Sequence, residues 1–466
     1  MAIRPGSKME NFTISDVLKA TKGRLVKGDS DSIVRDISTD SRTLKEGDLF
    51  VALIGERFDG HDFIPQALNR GAMGAVVSRG DLDGLPVKTL VAVEDTTRAL
   101  GDIAGLYRRG FNIPVVGITG SNGKTTTKDM MASVLSQKCR VLKSEGNFNN
   151  AIGVPLTLFK LSRSHEVAVI EMGVSIPGEM ARLVEIAQPD VAVVTNVSST
   201  HLEFFGSVDR VAAEKGILVK SASSAVLNAD DPYVAKMYDT VNGTVISFGI
   251  NNSADVSAVE IGQDHDDRPE FTLVIQSPLY EKARIRLPSI GKHNIYNALA
   301  AASAGVLFRM EIDDIREALE SYQPVPMRMQ KLIVGGSTII DDTYNSNPVS
   351  LKAAVDFLSN IECDGKRIAV IGDMLELGQH SDRLHKEAGN FIASCPIHTL
   401  MTVGDKAALL AEAALEADMA DDRVIICRTN ADAVANLHKI LREGDAVLIK
   451  GSRGMKMEEI VEAIQA

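Results

Sequence analysis

The sequence predicts an α/β protein of three domains, and three observations carry that reading. The chain has 466 residues, more than one hydrophobic core usually serves. From Pro114 onward apolar β-branched runs alternate with helix-forming stretches, the signature of parallel sheets covered on both faces. Within that alternation, Val115-Val-Gly-Ile-Thr-Gly-Ser-Asn-Gly-Lys-Thr-Thr-Thr127 reads as strand, glycine loop and helix start. The expected division is a small N-terminal α/β module over 1–113, a central P-loop sheet over 114–322 and a Rossmann-like domain over 323–466.

The N-terminal module reads as short strands and turns with few long helical periods. Residues 31–42 alternate before a polar cluster, Gly47–Gly55 forms another strand, 57–63 open a helix running to Gly71, and Ala75–Ser78 is a further strand. Ser41-Arg42 and Asp59-Gly-His-Asp62 lie at element ends, where ligand contacts collect, although a capped turn explains each as simply.

The glycine loop departs from the usual G-x-x-x-x-G-K-[ST], because Ile118 stands where the first glycine belongs. What remains is the tighter Gly120-x-x-Gly123-Lys124-Thr125. Its glycines let backbone N–H groups converge on phosphate, the helix N-terminus adds partial positive charge and Lys124 a full one. The Thr125 hydroxyl is placed to reach Mg²⁺, so the stretch predicts a triphosphate site.

Further strands are expected at Val167–Glu171, Val191–Thr195 and Ala225–Leu227. Ligands gather beyond the carboxyl ends of such strands, where Glu171 stands as a candidate Mg²⁺ ligand. His201 follows the next strand and reads equally as a hydrogen-bonded loop residue or a ligand. Lys215 falls in the helix 208–220, where sequence alone favours a solvated lysine. A β-rich excursion over about 241–287 returns into an alanine-rich helix whose first turns carry Asn294 and Asn297 on one face, within reach of a base or phosphate. Tyr322-Gln-Pro-Val-Pro-Met-Arg328 is a proline hinge, after which a regular βα alternation runs to the end without G-x-G-x-x-G.

Whole-chain properties narrow the function classes. A net charge of −12 disfavours nucleic-acid binding, and no apolar run reaches 18 residues. The N-terminus lacks a signal-peptide core, so a cytoplasmic protein is expected, and separately a monomer without membrane contact. Four scattered cysteines argue against a disulfide framework or a zinc site and read as buried packing residues. A GTPase would need Asn-Lys-x-Asp, which the chain lacks, and a non-catalytic nucleotide module would be expected to lose Thr125, Glu171 and His201.

With the loop, Glu171, His201, Asn294 and the hinge in view, the chain resembles the Mur ligases of bacterial cell-wall synthesis along nearly its full length. Four strings, Asp59–Phe63, Gly146–Pro155, Asp341–Pro348 and Gly372–Gly378, resemble the dipeptide-adding member of that family. Asp-Asn-Pro-Arg and Asp-Asn-Pro-Lys, expected in the last domain of the members that add diaminopimelate or lysine, do not occur. Relatives that polyglutamate folate share the ATP loop but lack this N-terminal module.

The resemblance implies an ATP-driven amide ligation. The terminal carboxylate of UDP-N-acetylmuramoyl-tripeptide attacks the γ-phosphate, and the amine of D-alanyl-D-alanine then displaces phosphate from the acyl phosphate. It implies that Gly120, Ser121, Asn122, Gly123, Lys124, Thr125 and Thr126 cradle ATP, with Asn294, Asn297, Arg328 and Asp342 as further nucleotide contacts. Thr125 and Glu171 would hold one Mg²⁺, and His201 would help hold a second. Lys215 matches a lysine carried as a carbamate linked to the metal, and Lys124, His201 and Lys215 are the implied catalytic set. Ser41, Arg42, His61, Asp62, Asn149 and Asn150 match the UDP-peptide region. Tyr344 stands where some members have lysine, so no charged role carries over there.

Overall fold

The computed structural model describes residues 9–55, 57–79, 87–276 and 280–465. Three sheets organise it. The first has five strands in the order Arg24–Lys27, Thr89–Ala92, Gly74–Val77, Leu49–Val51, Ile37–Ser38, parallel except for the first. The second has nine, in the order Glu281–Arg286, Pro269–Ile275, Val256–Gln263, Thr244–Gly249, Ser224–Asn228, Val191–Val194, Val115–Thr119, Val167–Glu171, Val141–Lys143. Seven of these are parallel, and the β-rich excursion supplies the antiparallel pair at one edge. The third has six strands, Gln330–Val334, Ser337–Asp342, Ala446–Lys450, Arg367–Gly372, Thr399–Val403 and Val424–Cys427, parallel except at its first edge.

The inner strands are buried on both faces, as a sheet covered by helices requires. On one face of the central sheet, the helices Lys124–Ser136 and His293–Leu307 pack together, with Met130, Val134, Ala298 and Ala301 fully enclosed. The small alanines allow that close approach.

Three expectations need correction. The N-terminal module does contain a long helix, Thr96–Arg108, capped by Asp95, whose side chain accepts from Thr97 N and Arg98 N. Its apolar face, Leu100, Ile103 and Ala104, joins one core with Leu183 and Ile186 of the central domain. The last domain opens with an antiparallel hairpin rather than a βα unit, turning at Gly335-Gly336 with φ of 54° and 78°. Of the four cysteines only Cys427 is buried, the others being partly exposed.

Arg108 fastens the helix Thr96–Arg108 to the central sheet. Its buried guanidinium donates to Ala187 O (3.1 Å), Phe111 O (2.7 Å) and Ile113 O (3.1 Å), and lies 3.5 Å from Asp190. Asp190 in turn accepts from Val115 N at the start of the P-loop strand. Arg108→Leu would remove the side-chain donor from three carbonyls, and should cost about 3 kcal/mol. A thermal scan should show the midpoint several degrees lower, and an unchanged midpoint would refute this anchoring role.

Candidate functional site

A cleft of about 700 Å³ lies where the carboxyl ends of the central strands face the last domain. Its floor is the glycine loop. Gly123 adopts φ 80°, and a Cβ there would collide with Asn297 Oδ1, so the tight turn demands glycine. The loop is braced from the neighbouring strand: Asn196 O accepts from Ser121 N, Asn196 Oδ1 accepts from Asn122 N, and Thr195 Oγ1 donates to Asn122 O at 2.6 Å. Residues 121–126 line the cleft, so the unpaired amides at the start of the helix Lys124–Ser136 open onto it.

Lys124 lies back on its own loop, donating to Gly120 O at 2.8 Å. Burial pushes its ammonium below the ordinary lysine range, with Arg328 adding to the effect and Glu171 opposing it. Thr125 Oγ1 donates to Glu171 Oε1 at 3.2 Å, and Asn149 Nδ2 donates to the same oxygen at 2.8 Å. The other oxygen, Glu171 Oε2, is buried without a hydrogen-bond partner, although Lys128 Nζ stands 3.9 Å away. A carboxyl oxygen without a hydrogen-bond partner beside a threonine hydroxyl, beneath a phosphate loop, fits a hard divalent cation such as Mg²⁺.

The opposite wall comes from beyond the hinge. Arg328 Nη2 donates to Thr125 Oγ1 at 3.0 Å, and the guanidinium stacks over Tyr344 at 3.9 Å from the ring centroid. Tyr344 is thus a platform for the neighbouring cation rather than a charge itself. Met327 and Met329, either side of Arg328, both adopt left-handed backbone, φ 63° and 49°. Asp342 pairs with buried Lys450 at 2.6 Å and accepts from Met329 N. Asn347 Nδ2 donates to Asn122 Oδ1 at 2.6 Å, a second link across the junction. Lys450, Asn347 and His293 all line the cleft and were missed, since nothing in their local spacing marks them.

Asn294 and Asn297 reach the cleft, but their carboxamides are already engaged. Asn294 donates to Ile290 O, Asn297 donates to Asn294 Oδ1, and Thr127 donates to Asn297 Oδ1. His201 also lines the cleft, its Nδ1 2.7 Å from Glu376 Oε2 of the last domain.

Lys215 corrects the expectation of a solvated face. It is 2 % exposed on the helix Val208–Ser221 and lies beneath the cleft rather than on its surface. Among the described residues no hydrogen bond or ion pair satisfies its amine. Burial pushes it down to about 7, the charge of Lys124 pushes the same way and Glu214 opposes. Glu214 is itself occupied, accepting from Gly178 N and Met180 N.

The UDP-peptide candidates divide. Asn149 and Asn150 line the cleft, Asn149 at Glu171 and Asn150 accepting from Ile152 N and Gly153 N. Ser41, Arg42, His61 and Asp62 stay with the first sheet and do not reach it. Ser41 donates to Gln66, Arg42 pairs with Asp40, and buried His61 holds Asp59 through Nδ1 while Nε2 accepts from Ser78 N.

Comparison with known proteins accords with this geometry. Residues 118–305 match the Mur ligase middle domain, 327–453 the Mur ligase glutamate ligase domain, and 34–108 the Mur ligase family catalytic domain. The UDP-N-acetylmuramoyl-tripeptide–D-alanyl-D-alanine ligase of Escherichia coli is 36% identical over 98% of this chain and 99% of its own. The Bacillus subtilis enzyme of the same name is 35% identical, covering 96% and 97%. Among solved structures, MurF from Acinetobacter baumannii superposes with a TM-score of 0.88 at 32% identity, covering 98% and 99%. MurF ligase from Thermotoga maritima in complex with ADP superposes at 0.81 and 29% identity, covering 93% and 97%. With all three domain types matched in order and relatives aligned end to end, the chain belongs to the Mur ligase family.

Proposed function

We propose that this protein joins D-alanyl-D-alanine to UDP-N-acetylmuramoyl-tripeptide at the expense of ATP, giving the pentapeptide precursor of peptidoglycan. The observation that carries the reading is the buried Glu171 oxygen beneath Thr125 that has no hydrogen-bond partner among the described residues, facing a loop whose other side is closed by Arg328. Full-length relatives bearing that activity in their names support it. Domain limits near residues 113 and 322 are part of the same reading, and the three separate sheets support it.

In this account the tripeptide carboxylate attacks the γ-phosphorus, ADP departs, and the dipeptide amine attacks the acyl carbon to expel phosphate. Lys124 and Arg328 position the phosphates, while Asp342 and Lys450 shape the far end of the cleft. Thr125 and Glu171 would hold one Mg²⁺ and His201 a second. Bound there, the ions supply the charge neutralisation that lets an anionic carboxylate approach a triphosphate. No helix among the described residues is long and apolar enough to cross a membrane, in keeping with nucleotide-linked substrates met in the cytoplasm.

The test is phosphate release measured with ATP, UDP-peptide and dipeptide together and with each omitted. Release should require all three, and Lys124→Ala should slow it about 10³-fold without altering the fold. Release independent of the dipeptide would defeat the reading.

Lys215 is proposed to act as a carbamate. A buried amine displaced to about 7 is half neutral at that pH, and only the neutral form captures carbon dioxide. The neutral fraction grows as pH rises through 7, so bicarbonate depletion should cost most activity near pH 6. Lys215→Ala should be nearly inactive and partly rescued by added acetate. Ordinary turnover in that variant would remove Lys215 from the mechanism.

A further inference from the structure

The last sheet has a place where the chain changes face. Its strand Ala446–Lys450 lies between Ser337–Asp342 and Arg367–Gly372. The helices that follow those two neighbours, Pro348–Asn360 and Ser381–Ala393, share a core with Ile340, Ala369 and Leu448, whereas the helix after the middle strand, Glu458–Gln465, shares one with Ile339, Val370 and Val447 on the other face. Ligands bind beyond the carboxyl ends of strands at such a reversal. The loop that leaves the middle strand is Gly451-Ser-Arg-Gly-Met455, and both neighbouring loops hold it. Ser452 N donates to Asp373 O, and Ser452 Oγ accepts from Leu375 N at 2.9 Å and donates to Ser346 O. The next side chain, Arg453, is exposed. Its Nη1 donates to Glu458 Oε1 at 2.8 Å, and among the described residues no hydrogen bond engages its Nε or Nη2.

Arg453 stands beside a ring that lines the cleft. Its guanidinium carbon is 5.9 Å from the centroid of Tyr344, the ring over which Arg328 stacks at 3.9 Å. The two cations are therefore no further apart than those distances laid end to end, and an extended dipeptide spans about 7 Å. Arg328 marks the phosphate end, through Thr125. Ligation needs the dipeptide amine at that end and its carboxylate one dipeptide length away, in a protein whose net charge is −12. The lysines and arginines that line the cleft are committed elsewhere, Lys124 and Arg328 at the phosphate loop and Lys450 to Asp342 and Asn345 O. We propose that Arg453 reads the terminal carboxylate of the incoming dipeptide. With Nη1 held by Glu458, the edge formed by Nε and Nη2 offers the parallel pair of donors that matches a carboxylate's two oxygens. The inference rests on the ligase reading for the identity of the ligand, and it adds the residue that selects it.

The test uses the full chain with ATP and UDP-tripeptide, and compares phosphate release driven by D-alanyl-D-alanine with release driven by its C-terminal amide. The amide lacks the charge and turns an N–H donor toward the guanidinium, so in the parent its KM should lie about 10- to 100-fold above that of the free acid. Arg453→Met should raise the KM for the free acid by a similar factor and leave that for the amide within about threefold, which abolishes the discrimination. The KM for ATP should stay within about threefold. Arg453→Lys keeps the charge without the fork, and its discrimination should fall between the two. If the methionine variant does not fold, the lysine variant decides, and parent-like discrimination there overturns the proposal. A parent that takes acid and amide alike, or an Arg453→Met enzyme that still discriminates, overturns it as well. Dipeptide-dependent release in the parent is scored separately: its absence defeats the ligase reading, whereas its presence with undiminished discrimination in the variant defeats this inference alone.

Discussion

The bond from Arg328 to Thr125 is the contact on which the site depends. It brings a cation from beyond the proline hinge onto the hydroxyl that also touches Glu171, so loop, carboxylate and hinge meet at one oxygen. Left-handed backbone at Met327 and Met329 aims that guanidinium, and Tyr344 supports it from below. Backbone of this kind costs on the order of 1–3 kcal/mol per residue, and the contacts around the cleft must offset it.

The electrostatic problem explains the rest of the arrangement. A chain with net charge −12 must gather positive charge locally to hold a triphosphate and a carboxylate together. Lys124 and Arg328 do so around the cleft, and Lys215 lies beneath them with no hydrogen bond or ion pair among the described residues. Burial and neighbouring cations depress Lys124 and Lys215 alike, Lys215 to about 7. Its depression has a use if the amine is modified. The Asp342–Lys450 pair, by contrast, is locally neutral and suits the less charged end of a nucleotide.

Much of this was legible in the sequence because it obeys local rules. Strand, glycine loop and helix announce themselves between Val115 and Ser136, and Glu171 ends an apolar run as strand-end carboxylates do. The helix Thr96–Arg108 was legible too, through Asp95 and the spacing of Leu100, Ile103 and Tyr107, but its neighbours' turns obscured it. Lys215 was not legible, because Glu214 and Lys215 are both buried and break the polar-out pattern that helix reading relies on. Glu376 was hidden for another reason: its partner lies 175 positions away, and no periodicity connects them. Ser41, Arg42, His61 and Asp62 are tied into their own module by internal hydrogen bonds, so their relation to the cleft depends on a substrate long enough to span it.

The central claim is that the ATP site is completed across the hinge. The most direct measurement is the KM for ATP in Arg328→Ala, taken at saturating UDP-peptide and dipeptide. Loss of a hydrogen bond to a charged group corresponds to about 1.5–3 kcal/mol, so the KM for ATP should rise roughly 10- to 100-fold. The KM for UDP-peptide should stay within about threefold and the thermal midpoint should hold. An unchanged KM for ATP would mean that the central domain holds the nucleotide alone, contradicting the account.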